Sequence, residues 1–570
     1  MSQPYNIVHR LNNIVIDNPV ERSETSIQVD FKDTIQGNVE TDTYTFVNEA
    51  YTIIKNEFDA GLSGGNGVFE GIPYSIEIQK AQESESVFQG FLDMKSIEFL
   101  QPNEPKILSR VIKEDGLNNI SERLQGLTFA LLEANGTIKN SSYEDVQTII
   151  EKKVTFLEQA LLALAIYLMV KEIIESIRSI AETVATIASI TSSSTTGALG
   201  ALVYAIASLL FQAAYTALMI VALFDLVTQF VNNLIPPTKK LKGIRFRTAL
   251  NAIFSYLGYQ LISPIKDLDN YIYMPSKADG RQNKGIPFAS DYGFIANEFV
   301  DLCIKMFKAQ LFVTDGVVQL RTESDPFFIK TSTYILPDVL ERPSKTNANE
   351  LKESVLISFR DDLSDEYTID NWKGTSYVVT TKPNTFTNEK AVQITGLNEV
   401  RIPLSLGNRK DELSSLENAL NAFFETANKL FGVFGSNNTF PLLTERIGLL
   451  KVSSEFFNNA KVLKVKNGKL TSDYRTSLSA KYLYNNYINY DSFVQNNYSR
   501  QRLVYESISI PFSYSDYKKV LDNSYFTTSE GKTGRITSLT WFVETDKAEI
   551  DYYIEEVYTR NLREEFYEVD

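Results

Sequence analysis

Apolar positions recur at two different periods along this chain, and the change of period divides it. Over the first hundred residues the period is close to two. Residues 26–32 (SIQVDFK) and 43–47 alternate as half-buried strands do, and the runs VFEGIPYSIEIQ and SVFQGFLDMKSIEFL continue the pattern. A short amphipathic helix over 50–60 interrupts them, followed by the glycine run 61–67, which reads as a turn between strands. Residues 118–127 show helical spacing, 127–132 continue as an apolar run, and Asn135-Gly136 marks a turn.

From Ser142 the period lengthens. Ser142-x-x-Asp145 reads as a capping motif opening a helical region that runs to about residue 234. Within it, Ile173, Ile174, Ile177, Ile180, Val184 and Ile187 fall at three- and four-residue steps. Between Glu182 and Asp225 there is no charged residue, and in 197–224 only Tyr204, Ser208, Gln212, Tyr215 and Thr216 carry polar side-chain atoms. At ~1.5 Å per residue this last stretch spans about 42 Å as a helix, more than the roughly 30 Å hydrocarbon core of a bilayer. The turn of the predicted hairpin falls near Ser192–Gly197, and Pro236-Pro237 ends the region. Leu199, Val203, Ile206, Leu209, Leu210, Leu218, Ile220 and Leu223 are the candidate membrane or oligomer-core positions. The small residues interspersed with them, Gly197, Ala198, Gly200, Ala201, Ala205, Ala207, Ala213, Ala214 and Ala217, allow close helix approach in either setting. Lys239, Lys240, Lys242, Arg245 and Arg247 follow directly, a cluster that fits a positive-inside flank and equally a solvated linker edge.

Beyond the cluster the periods mix. Helices are expected in 244–263, closed by Gly258, and over 294–307, with a hairpin at 309–322 around Asp315-Gly316. Residues 346–570 read as strands, with a turn at Asn467-Gly468 and helices at about 410–431 and 546–562.

Composition narrows the function more than the fold. Aromatic residues at 12% favour a β-rich body, and a net charge of −15 argues against sequence-specific nucleic-acid binding. A single cysteine, Cys303, excludes a disulfide framework, and one histidine, His9, leaves too few ligands for a zinc site. Triad chemistry would have to pass through His9, a position more often frayed or at a strand edge. The carboxylates Asp361, Asp362, Asp365, Glu366 and Asp370 are the most metal-like stretch. Counted from Asp362, the sixth and twelfth positions of a calcium loop are Tyr367 and Lys373, so that motif fails. Gly531-Lys532-Thr533 lacks the first glycine of a phosphate loop. No cofactor or metal is expected, and the chain does not read as an enzyme.

Three stretches carry a resemblance. LKGIRFRTALNAIFSYLGYQLISP (241–264), ISFRDDLSDEYTIDNWKGTSYVV (357–379) and GRITSLTWFVETDKAEIDYYIEEVYTRNL (534–562) are similar to tail-tip or baseplate-hub structural proteins of tailed phages, of the kind found in phages of Bacteroidetes hosts. The resemblance implies a non-enzymatic ring, commonly a trimer, of barrel domains joining the tail tube to a host-facing spike. Its partners would be copies of itself and other tail proteins, and its place the virion tail, assembled in the host cytoplasm; the host membrane enters as a further partner only through the apolar run. It implies nothing for the apolar region, which departs from the pattern.

The expected fold class is α+β: several β-rich, barrel-like domains with an inserted long apolar α-helical hairpin. The divisions are 1–141 (β-rich), 142–237 (apolar hairpin), 238–345 (mixed) and 346–570 (β-rich with a C-terminal helix). The expected role is a structural virion protein whose hairpin plugs the tail channel or inserts in the host membrane during genome delivery. The competing expectation is a resident integral membrane protein with large soluble flanks.

Overall fold

The computed structural model describes residues 6–20, 26–31, 34–39, 43–62, 71–80, 83–100, 105–113, 116–150, 171–172, 174–185, 212, 216, 238–275, 295–314, 316–338, 345–346, 354–361, 376–383, 397–413, 417–418, 421, 424–425, 428–429, 442–452, 459–488, 500–557 and 564–569. The chain is β-rich, with curled sheets and several helices.

The N-terminal sheet follows from the period-two pattern. Its strand order is Ile14–Ile16, Asn6–Leu11, Ile72–Lys80, Glu83–Leu92, Lys106–Lys113, Thr43–Phe46. Asn12 and Asn13 both take positive φ, which two-residue hairpin turns require. The Val20 amide donates to the Thr45 carbonyl at 3.0 Å and so links the two ends of the sheet. Tyr44, Phe46, Tyr74 and Phe88 form an aromatic cluster in its core. His9 belongs to this cluster rather than to a frayed end. It is 2% exposed, with Nδ1 2.7 Å from the Tyr74 hydroxyl.

A second sheet joins the two ends of the chain. Ser26–Asp30 pairs antiparallel with Thr533–Phe542, which also pairs with Lys547–Val557; Arg500–Pro511 follows beyond. Helix Tyr514–Asp522 covers one face and stacks Tyr517 on Trp541, with ring centroids 4.7 Å apart. Where the helix over 546–562 is expected, Lys547–Val557 is a strand, and 558–562 lie outside the described residues. Ala548, Ile550, Tyr552 and Ile554 are buried at every second position, and that alternation outweighs the helix-favouring acidic residues between them.

The second core draws on residues 120–488 and is built round a barrel. Tyr143–Ile150 pairs antiparallel with Lys239–Arg245, which pairs with Tyr271–Met274, which pairs with Lys461–Lys466. Lys461–Lys466 pairs with Ser405–Leu406, and Leu450–Val452 joins Asn408–Arg409 back to Tyr143–Ile150. Only Gly407 separates Ser405–Leu406 from Asn408–Arg409, so the circuit closes through one continuous segment. The helical start expected at Ser142 is therefore corrected to a strand. Ser142 completes a single 3-10 turn by accepting the Lys139 amide, and the β-branched residues Val146, Thr148, Ile149 and Ile150 then extend. Asn467 and Gly468, both at positive φ, turn Lys461–Lys466 into Lys469–Leu470.

Helices Phe246–Tyr256 and Ala296–Phe307 pack into this core, with Phe246 and Phe299 5.2 Å apart edge to face. Cys303 is fully buried among them, and burial pushes its thiol well above the ordinary range. The hairpin Ala309–Thr314/Val317–Thr322 forms as its alternation predicts. The Gln36 side-chain amide fastens it to the N-terminal segment, donating to the Val313 carbonyl and accepting the Val313 amide, both at 2.8 Å. Of the helix expected over 410–431, residues 417–418, 421, 424–425 and 428–429 are helical, whereas Lys410 lies before it and donates its amide to Leu449.

Candidate functional site

The uncharged run is inserted in the barrel at a defined place. Tyr143–Ile150 leads out and Lys239–Arg245 leads back, and Thr148 and Lys239 face each other across the antiparallel ladder. Residues 151–238 thus leave and return between neighbouring strands at one end of the barrel. The chain also leaves this end after Pro275 and after Val452.

Part of the excursion is described. Residues 171–172 and 174–185 are helical, as are Gln212 and Thr216. The first segment carries three stripes. Lys171, Glu175, Arg178 and Glu182 form a charged row in which Lys171–Glu175 and Arg178–Glu182 lie 3.9 and 4.0 Å apart. Exposed pairs of this kind contribute little, yet they place the row in water. Ile174, Ala181 and Val184 form an exposed apolar stripe. Ser176 and Thr183 form the third stripe, and this one meets the second segment: Ser176 Oγ lies 2.5 Å from Thr216 Oγ1, and Thr183 Oγ1 lies 3.0 Å from Gln212 Oε1. The earlier residue of one leg meets the later residue of the other, so the legs run antiparallel. Among the described residues no helix is long and apolar enough to cross a membrane. Leu199, Val203, Ile206, Leu209, Leu210, Leu218, Ile220 and Leu223 lie outside the described residues.

The basic cluster sits on the returning strand and the helix after it. Lys242 Nζ is 2.6 Å and Lys240 Nζ 3.7 Å from Asp145 on the outgoing strand. The hydrogen bond from Lys242 holds the Asp145 carboxyl below its usual range. Arg245 grips Glu144 with both of its prongs, Nη2 at 2.8 Å, and Arg247 Nε is 2.6 Å from Asp269. Lys240, Lys242, Arg245 and Arg247 therefore have acidic partners beside them, and the first three fasten the root of the excursion.

The other sequence candidates are not brought together among the described residues. Asp361 accepts the Asn459 side-chain amide through its carbonyl; Asp362, Asp365, Glu366 and Asp370 lie outside the described residues. Among the described residues no cluster of His, Cys, Asp or Glu could hold a metal ion. Gly531 and Lys532 end the turn of a β-hairpin and Thr533 starts its second strand, with Gly531 at φ +78.

One cluster escaped the sequence reading. Asp267 is buried at the start of a one-turn helix, and its Oδ2 accepts the hydroxyls of Tyr487 at 2.6 Å and Tyr482 at 2.9 Å, with that of Tyr271 at 3.4 Å. Tyr271 gives its proton to the nearer Ser477 carbonyl at 2.7 Å. Tyr482 and Tyr487 are five residues apart, a spacing that an α-helix turns to different faces. The π-helical turn Tyr484–Ile488, with its i→i+5 bonding, brings both hydroxyls to one carboxylate. Burial and then the carboxylate push Tyr482 up to about 12, and they raise Tyr487 too. A carboxylate so furnished with donors is a clamp between the 474–488 segment and the barrel rather than a base or nucleophile.

No family model matches the chain, and no curated protein matches it either.

Proposed function

We propose that the protein is a structural component of a phage tail tip or baseplate hub, assembled as a homo-oligomer. The excursion 151–238 would act in genome delivery, by plugging the channel or entering the host membrane. The observation that supports this most is the root of the excursion. A segment whose uncharged run needs a partner is spliced between two adjacent strands of a nearly closed barrel, so it can be stored or deployed without unravelling its host. The long apolar hairpin and the barrel ring belong to the same proposal, and so does a role without catalysis. The charged row on 171–182 favours storage in an assembly over permanent residence in a bilayer, because these side chains face water.

The test is a deletion. Since Thr148 and Lys239 are paired, a short Asn-Gly turn can replace 151–238 and leave the ladder intact. The expected variant folds, gives the same oligomer by electron microscopy, and yields particles that bind host cells without delivering a genome. Particles that deliver normally would remove the excursion from the mechanism. A wild-type chain that stays monomeric at all concentrations would remove the hub.

A further inference from the structure

The contact between the two legs is polar in a region where polar side chains are scarce. Gln212 and Thr216 are two of the five polar side chains in residues 197–224, and both are spent on it. They are four residues apart on the returning leg, and Ser176 and Thr183 are seven apart on the outgoing one; each pair lies on a single helical face. Seven residues rise about 10 Å and four about 6 Å, a difference the long Gln212 side chain spans.

The donors and acceptors close on themselves. Thr216 donates to the Gln212 carbonyl at 2.8 Å, so Ser176 is the donor in the Ser176–Thr216 contact. Thr183 lies 2.8 Å from the Ser179 carbonyl and 3.0 Å from Gln212 Oε1, and one hydroxyl proton cannot serve both. With the Gln212 amide turned so that its NH2 faces Thr183, the hydroxyl donates to Ser179 and accepts from Gln212. Each of the three hydroxyl protons in the seam then has an acceptor within it, and Thr216 is 1% exposed.

Such a seam holds differently in different surroundings. In water a parted hydroxyl is rehydrated, so the net hold is modest. Away from water a parted hydroxyl or amide has nothing to bond, so separation is strongly opposed. Interhelical Ser, Thr and Gln contacts of this kind also join helices within bilayers. Thr183 is the first residue of the uncharged run, so the seam stands at the boundary between charged and uncharged sequence.

We propose that the two legs of the excursion move as one closed pair, with Ser176–Thr216 and Thr183–Gln212 setting their register in storage and keeping it on contact with a lipid surface. The proposal rests on the delivery reading only for the lipid step; the closed pair itself rests on the contacts above.

The test uses the full chain carrying S176C and T216C, with T183C and Q212C as an independent second pair in case the first fails to fold. Cys303, the one native cysteine, is buried and does not interfere. The measurements are disulfide formation with and without phosphatidylethanolamine–phosphatidylglycerol vesicles, and dye release from those vesicles by the oxidised and reduced forms. The expected result is cross-linking in both settings and no loss of release on oxidation. Failure of both pairs to cross-link in solution overturns the proposal. So does loss of cross-linking when vesicles are added, or release confined to the reduced form, since the legs must then part. A wild-type chain that releases no dye counts against the membrane reading alone; cross-linking that persists with vesicles present still supports the closed pair.

Discussion

Replacing Tyr487 by phenylalanine removes one hydrogen-bond donor to the buried Asp267 carboxylate and changes little else, because the ring keeps its edge-on contact with Phe307 at 5.1 Å. A hydrogen bond to a charged group contributes about 1.5–3 kcal/mol. Asp267 Oδ2 keeps Tyr482 at 2.9 Å, so Tyr487→Phe should cost about 1.5–2 kcal/mol, the lower part of that range. Asp267→Ala is harsher: it leaves the Tyr482 and Tyr487 hydroxyls without their acceptor, at about 1–3 kcal/mol for each that stays dry. In the Asp267→Ala background Tyr487→Phe removes a group already stranded and should cost almost nothing, a coupling of about 1.5–2 kcal/mol. The assay must follow the right core. Trp541 belongs to the core that joins the chain ends, so urea unfolding is better followed by hydrogen exchange in the strand Lys461–Lys466. A Tyr487→Phe protein as stable as wild type would refute the clamp. So would strictly additive effects of the two substitutions.

Further outcomes follow from the same contacts. Because Tyr482 is raised to about 12, the stability it contributes is fully present below its unfolded value near 10 and is lost as pH rises from 10 towards 12; Tyr482→Phe should make this alkaline loss shallower in thermal melts. Asp145 is depressed, so its contribution is present above about pH 4 and disappears as pH falls through its folded value; Asp145→Asn should flatten that acid limb, costing about 0.2–1 kcal/mol at neutral pH as a half-exposed pair does. Truncation before Arg500 removes the partners of Ser26–Asp30, so exchange protection in the N-terminal half of that sheet should vanish while the Lys239–Arg245 strand stays protected.

What could be read from the sequence was whatever depends on near neighbours. The Ala309–Thr322 hairpin, the Asn467-Gly468 turn and the two helices around Phe246 and Phe299 follow from local period and turn chemistry, and they are found. What failed depends on partners far along the chain. Tyr143–Ile150 becomes a strand because Val146 meets Leu241, and Lys547–Val557 because it lies between two other strands of its sheet. The Arg535 guanidinium donates to the Phe31 carbonyl at 2.6 Å across a separation of 504 residues, a contact no local window contains. Asp267 was passed over for a related reason. Its tyrosines are more than 200 residues away, and their five-residue spacing has meaning only in a π-helical turn.

The excursion combines both kinds of information. That an uncharged run of such length needs a partner is legible in the residues themselves. Where it is rooted is not, since that is fixed by the pairing of Thr148 with Lys239. The two facts together constrain the mechanism more than either alone. A run tethered at one point could swing or thread freely, whereas one tethered at both ends between adjacent strands must leave and return at the same place. The basic cluster then takes on a different meaning. Lys240, Lys242 and Arg245 are held by Asp145 and Glu144 across the ladder, so they brace the root against any force applied to the excursion. Weakening that brace should therefore loosen the root before it disturbs the seam between the legs.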